Sequence, residues 1–170
     1  MAKLQGMTLE FLLAAQYAFH EMAGLVMKDS LAKLGIKVEL RPEVVATWIA
    51  KTAKPETCGQ FCSVGVTAKF PHPDYYTWGM FTKSVWGTWM GAAYFHDDTL
   101  EKTLLEAHAT AALSKQEELY KRAQEIIVEN APAVYTTNAL HKIAIRDRLK
   151  GYYYIPILGR DLFAYHLTLD

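Results

Sequence analysis

"MTLEFLLAAQYAFHEMAGLVMKDSLAKLGIKVEL", residues 7–40, decides the fold. Residues 7–13 are an apolar run of a length that suits a buried strand. Residues 17–35 then keep the helical period. Phe19, Met22, Ala23, Val26 and Leu34 fall near one face, which is expected to look inward. Gly35 suits the left-handed position just past a helix, and Ile36 supplies the apolar closing contact. Ile36, Val38 and Leu40 alternate as one side of a strand. Strand, helix and strand in that order predict a βαβ unit.

The pattern continues outward. Pro42 is expected to end the second strand and open a helix over "PEVVATWIAKTAK", with Val44, Trp48 and Ile49 inside. "QFCSVGVTA", residues 60–68, reads as a third strand, apolar enough for burial on both faces. Pro73 suits the first turn of a short helix over residues 74–81. "TKSVWGTWMGAAYFH", residues 82–96, reads as an ordered loop. "DTLEKTLLEAHATAAL" follows as a helix, with Asp98 at its cap and Glu101 three residues on. The next, "SKQEELYKRAQEIIVEN", opens with Ser114 and Glu117 as a capping box. Glu117–Lys121 and Glu118–Arg122 are favourable i,i+4 pairs. Leu119, Ala123, Ile126 and Ile127 form its buried stripe, and Pro132 stops it. "AVYTT" and "KIAIRD" are predicted strands, and "GYYYIPILGRDLFAYHLTL" is an apolar, aromatic tail. The sum is an α/β fold: a mixed, mostly parallel sheet flanked by helices, in one domain over residues 1–170.

Composition narrows the function. The chain has 170 residues, 51% hydrophobic and 21% charged, which is ordinary for a globular domain with a core. Eighteen basic residues balance eighteen acidic ones, so charge gives no case for a nucleic-acid or anionic-membrane partner. No segment reaches the roughly 18 apolar residues of a membrane span. The start lacks a signal-peptide layout, because Glu10 interrupts its short apolar run. Cys58 and Cys62 do not make a zinc site by themselves. They form a disulfide in an oxidising compartment, or else Cys62 is a small buried hydrophobe.

Catalytic signatures are absent. The sequence has no G-x-G-x-x-G, P-loop, H-E-x-x-H or G-x-S-x-G. His20 and Glu21 sit on a helix with no second histidine four residues away. His72 lies between prolines with no nucleophile near it, and reads as a solvent-facing loop residue. A small enzyme using His72 with Asp74 ranks low. "HDD" at residues 96–98 holds a metal or, more simply, places Asp98 as a helix cap. A non-enzyme with no cofactor and no metal is expected.

"GVTAKFPHPDYYTWGMF", residues 65–81, is unusual. An apolar run stops at Lys69, two prolines follow, and Tyr75, Tyr76 and Trp78 crowd behind.

Five segments, in order, resemble one family. "LAKLGIKVEL", "WIAKTAK", "GVTAKFPHPD", "LYKRAQEIIVENAP" and "LKGYYYIPILGRDLF" look like the corresponding motifs of the family 5 extracellular solute-binding proteins, the dipeptide and oligopeptide receptors of ABC importers. The matches cover about residues 28 to 165. The resemblance implies a type II periplasmic-binding architecture, in which two lobes close on a ligand. This chain then corresponds to the second lobe and the C-terminal return. The first lobe and its signal peptide or anchor are missing, as in a fragment beginning at an introduced Met1.

In the family, an aspartate in the turn after the third strand pairs with the ligand's α-amino group. A tryptophan three residues before it lines the pocket. Here Val66 stands for the tryptophan and Lys69 for the aspartate, so the charge is inverted. A cation repels an ammonium. Lys69 either faces the cleft, and prefers a carboxylate, phosphate or hydroxyl-rich ligand, or snorkels outward to the rim. Gln116 also departs from the family, which usually has arginine before "LY". The aromatic residues suit a binding cleft. The expected ligand-binding residues are Val66, Lys69, Tyr75, Tyr76, Trp86, Trp89, Tyr135 and Asn138, with Trp78 in core packing. From Ala139 onwards the match is less clean.

The implied function is the ligand-binding lobe of an ABC transporter's substrate-binding protein, for peptide-like or other small solutes. Expected partners are that ligand, the missing first lobe, the permease subunits and, through the uncovered face, a second copy of the chain. The implied location is extracellular or periplasmic, anchored through the missing N-terminal segment. The alternative is the ligand-sensing domain of an intracellular transcriptional regulator.

Overall fold

A computed structural model describes residues 6–138, 140, 142–155 and 163–170. Strand β1 (Thr8–Ala14) runs into helix α1 (Ala18–Ala32), and β2 (Lys37–Glu43) into α2 (Val45–Thr52). The short β3 (Phe61–Cys62) completes a parallel sheet of order β2-β1-β3. β1 is therefore central, with Leu12 opposite Arg41 on one side and Cys62 on the other.

Alternation along β1 separates two core layers. Phe11 and Leu13 pack with Val38 beneath Ala23, Met27 and Leu31 of α1. Leu12 and Ala14 pack with Trp48 of α2, against Cys62, Val64 and Trp89. Each fully buried leucine or phenylalanine contributes about 1.5–3 kcal/mol. The α1 period is thus as expected but its phase is not. Met22 and Val26 are 66% exposed, Phe19 and Leu34 are exposed too, and His20 and Gly24 are the buried positions. A Cβ on Gly24 would come within 3.3 Å of the Phe11 ring, so this face must be bare to approach the sheet. Gly35, at φ +75°, closes α1 as predicted, and Ile36 N–H donates to the Leu31 carbonyl at 3.1 Å.

Pro42 does not end β2. It sits within an edge strand, where a missing N–H costs no ladder bond. Helix α2 starts later, buries Trp48 and Thr52, and leaves Val44 and Ile49 exposed. The third strand is shorter than expected. β1 turns away after Ala14, and residues 64–68 then run on without a partner strand and only half-buried at Val64 and Val66.

Beyond two 3-10 turns (Pro73–Tyr75 and Lys83–Val85) and the short α3 (Trp78–Phe81) between them, α4 (Asp98–Ala109) and α5 (Leu113–Asn130) form a hairpin. Leu100, Leu104 and Ala107 meet Leu119, Tyr120, Ala123, Ile126 and Ile127, with Phe81 at the same cluster. The cap of α4 is Asp97, which accepts the Leu100 N–H at 2.7 Å; Asp98 is already helical. Ser114 is likewise inside α5, whose cap is Ala112, so the expected capping box does not form. Glu117–Lys121 is an ion pair at 2.8 Å, but Arg122 turns to Glu125 rather than Glu118. Residues 133–137 and 142–147 are irregular, not strands. The last described sheet is antiparallel, β4 (Leu149–Lys150) with β5 (Thr168–Leu169). Much of the expected aromatic tail, residues 156–162, and Ala139 lie outside the described residues.

Candidate functional site at the carboxyl ends of β1 and β3

The sheet order fixes where a crevice opens. From β1 the chain crosses to β2 on one side, then returns past β1 to β3 on the other. The loops after β1 and β3 therefore diverge at their carboxyl ends. Ligands of open parallel sheets sit at such a reversal point.

Three groups of side chains meet the loops there. The first is a file of rings. Tyr17 and Phe19 are 5.6 Å apart, Phe19 meets His20 edge-on at 4.4 Å, His20 lies 5.8 Å from Trp48, and Trp48 lies 5.9 Å from Trp89. Gly65 brings the chain after β3 against this file; a Cβ there would come within 2.7 Å of the Phe19 ring. His20 is buried, and its Nδ1 accepts the Ala14 N–H at 3.2 Å. The neutral ring then carries its proton on Nε2. Burial lowers the pKa of this imidazole below the ordinary histidine value, which keeps it neutral.

The second group is the Lys69 turn. Val66 is half-buried and Lys69 exposed. No described carboxylate pairs with Lys69. The Tyr76 hydroxyl accepts the Ala68 N–H at 3.1 Å, which fixes the backbone beside the lysine. Tyr75 packs edge-on against Phe70 at 5.2 Å and against Tyr76 at 5.8 Å.

The third group fastens this turn to the helical hairpin. His72 is half-buried rather than solvent-facing; its Nδ1 accepts the Asp74 N–H at 3.3 Å and its ring meets Tyr120 edge-on. The Asp74 carboxylate pairs with His108 Nε2 at 2.7 Å and accepts the Tyr120 hydroxyl at 3.2 Å. Burial, and then the Asp74 charge, push the Tyr120 phenol up to about 12. His72 and the Asp74 carboxylate are thus not a pair of their own, and the arrangement holds structure. Trp78 packs on the same helical cluster and on His108.

The remaining expected residues are spread out. Trp89 is half-buried in the ring file. Trp86 is exposed; its Nε1 donates to the Phe95 carbonyl at 3.2 Å. Tyr135 and Asn138 are exposed, and no described contact joins them to the Lys69 turn. Tyr17, Phe19, His20 and Trp48 were not among the expected residues. Their signal was positional: three of them directly follow the first strand of the sheet. No group of three or more metal-ligating side chains converges among the described residues.

No protein-family profile matches the chain. Over 138 residues it is 25% identical to the probable D,D-dipeptide-binding periplasmic protein DdpA of Escherichia coli, a match covering 81% of this chain and 26% of that protein. In sequence the chain resembles the family 5 solute-binding proteins. Its fold is that of the periplasmic binding proteins. The E. coli murein tripeptide binding protein MppA superposes with TM-score 0.73 and 19% identity over 96% of this chain and 31% of that one. The periplasmic binding protein DppA of Helicobacter pylori, in complex with the peptide STSA, gives TM-score 0.67 and 23% identity, covering 75% and 25%. The chain thus spans about a quarter to a third of the length of these relatives. By name, all three are binding proteins rather than enzymes.

Proposed function

We propose that the chain is the ligand-binding lobe of an ABC importer's solute-binding protein, acting outside the cytoplasm without catalysis. In this reading the remainder of a two-lobe protein supplies the facing half of the cleft. Closure on a peptide-like or other small solute shifts an open–closed equilibrium that the permease reads. Val66, Lys69, Tyr75, Tyr76, Trp86 and Trp89, with Tyr135 and Asn138 from the irregular segment after α5, form this lobe's contribution.

The observation that carries the reading is Lys69, exposed on the loop that follows β3 with no described carboxylate paired to it. A cation there favours a ligand that presents an anionic or hydroxyl-rich group. The names of the similar proteins support peptide-like ligands, and none of those described above is a transcriptional regulator.

The test uses the complete two-lobe protein and the isolated 170-residue chain side by side. Calorimetric titration with dipeptides, N-acylated dipeptides and sugar acids is expected to give saturable binding only to the complete protein. Lys69→Asp should weaken anionic ligands about tenfold or more, the scale of one lost close charge pair. Equal affinity in Lys69→Asp and wild type would remove Lys69 from the site. Tight dipeptide binding by the isolated chain would overturn the two-lobe reading.

A further inference from the structure

Cys58 and Cys62 have no part in the proposed cleft, yet the fold brings them together. Helix α2 ends at Thr52, and a turn leads through buried Cys58 into Gly59, whose φ of +74° reverses the chain. Gly59 passes so close to β1 that a Cβ would meet Glu10 at 3.3 Å. Three residues later Cys62 stands opposite Leu12 in the β1–β3 ladder, and Cys58 lines a surface groove shared with Leu12. Both sulfurs therefore lie at one residue of the central strand. Both thiols are free and close enough to perturb each other's protonation, and the Cys58 thiol donates to the Ala92 carbonyl at 3.8 Å. Cys62 is the partly exposed one and Cys58 the buried one, which reverses the expectation that Cys62 is the buried hydrophobe.

We propose that Cys58 and Cys62 are a redox pair that closes an internal disulfide across the Gly59 turn, clipping the end of the α2 connection to β3. A third metal-ligating side chain does not join them among the described residues, so the pair lacks a tetrahedral zinc set. The oxidant is a low-molecular-weight disulfide, RSSR. The partly exposed Cys62 sulfur attacks it, forms a mixed disulfide and releases one RSH. The Cys58 sulfur then attacks the Cys62 sulfur and releases the second RSH. Two protein thiols become one S–S bond, and their two protons leave on the two RSH molecules. The clip acts on the segment that delivers residues 63–69 to the crevice, so its redox state sets how firmly that loop is held.

The experiment equilibrates the 170-residue chain with defined ratios of reduced and oxidised glutathione, in native buffer and in urea, followed by acid quench. In native buffer both thiols should vanish together, with a mass loss of two hydrogens and a link within the tryptic fragment that carries both cysteines. Cys58→Ser and Cys62→Ser should each take up one glutathione instead. The native bridge should survive a glutathione ratio at least about tenfold more reducing than the bridge in urea tolerates. Separate glutathione adducts on the two native cysteines, thiols that survive oxidation, disulfide-linked dimers, or equal ratios in buffer and urea would each overturn the proposal.

Discussion

Asp74 shows how one carboxylate can decide the shape of a site without entering its chemistry. It receives His108 and Tyr120 on its side chain, while its own N–H is given to His72. The loss of both side-chain partners in Asp74→Ala should cost about 1–3 kcal/mol, measurable by urea unfolding. The same substitution bears on Tyr120. The folded pKa of this phenol is raised to about 12, above the ordinary tyrosine value of about 10. Below pH 10 its contribution is fully present. As pH rises from about 10 to about 12 the unfolded chain ionises before the fold does, and stability falls. Spectrophotometric titration should find Tyr120 among the late phenols of the wild type, and Asp74→Ala should lower its pKa only in part, since burial is the larger cause. A sequence reader sees Asp74 beside Pro73 and assigns it to a turn. Its partners lie 34 and 46 residues away, and only the fold reveals them. The exposure of Lys69 was legible because a lysine at the end of an apolar run, just before two prolines, belongs to a loop. His20 was not, since a histidine on a helix looks the same whether its ring points out or into the end of a strand.

Among the elements, helix ends separate what local sequence fixes from what it leaves open. Both Asp97 and Asp98 are good cap residues, and the chain chose the one whose extended backbone reaches Leu100. Asp97→Ala should cost about 1 kcal/mol, whereas Ser114→Ala, within α5 and capping nothing, should be neutral or stabilise by a few tenths. Equal losses in thermal unfolding would contradict the observed caps. Helix α1 explains the largest misreading of the pattern. It carries two apolar stripes, an inner one with Ala23, Met27 and Leu31 and an outer one with Phe19, Met22 and Val26. Periodicity detects a stripe and cannot say which of two is covered. Pro42 misled for a related reason. It breaks a central strand and is tolerated in an edge strand, and edge position is a property of the sheet, not of the residue.

On the scale of the whole molecule, the outer stripe of α1 and the exposed Leu25, Val134, Tyr135 and Leu140 leave much apolar surface in water. The isolated chain should therefore self-associate, with a sedimentation coefficient that rises with concentration. Met22→Lys combined with Val26→Glu should reduce this association while leaving the helical circular dichroism intact. A monomer at all concentrations in the wild type would contradict the expectation. The α/β class and the parallel strands were readable from the βαβ order alone. Sheet order was not, because sequence says that three strands exist but not on which side of the first the third will lie.

That central position of β1 has a bearing on biosynthesis. Within this sheet the most buried strand is made before both of its neighbours, and the second of them arrives some fifty residues later, Phe11 waiting for Phe61. A nascent chain truncated between Glu43 and Phe61 holds a one-sided ladder, with the β3-facing edge of β1 open to any extended polypeptide it meets. Translation through this interval is thus the window in which this sheet is most open to wrong pairing.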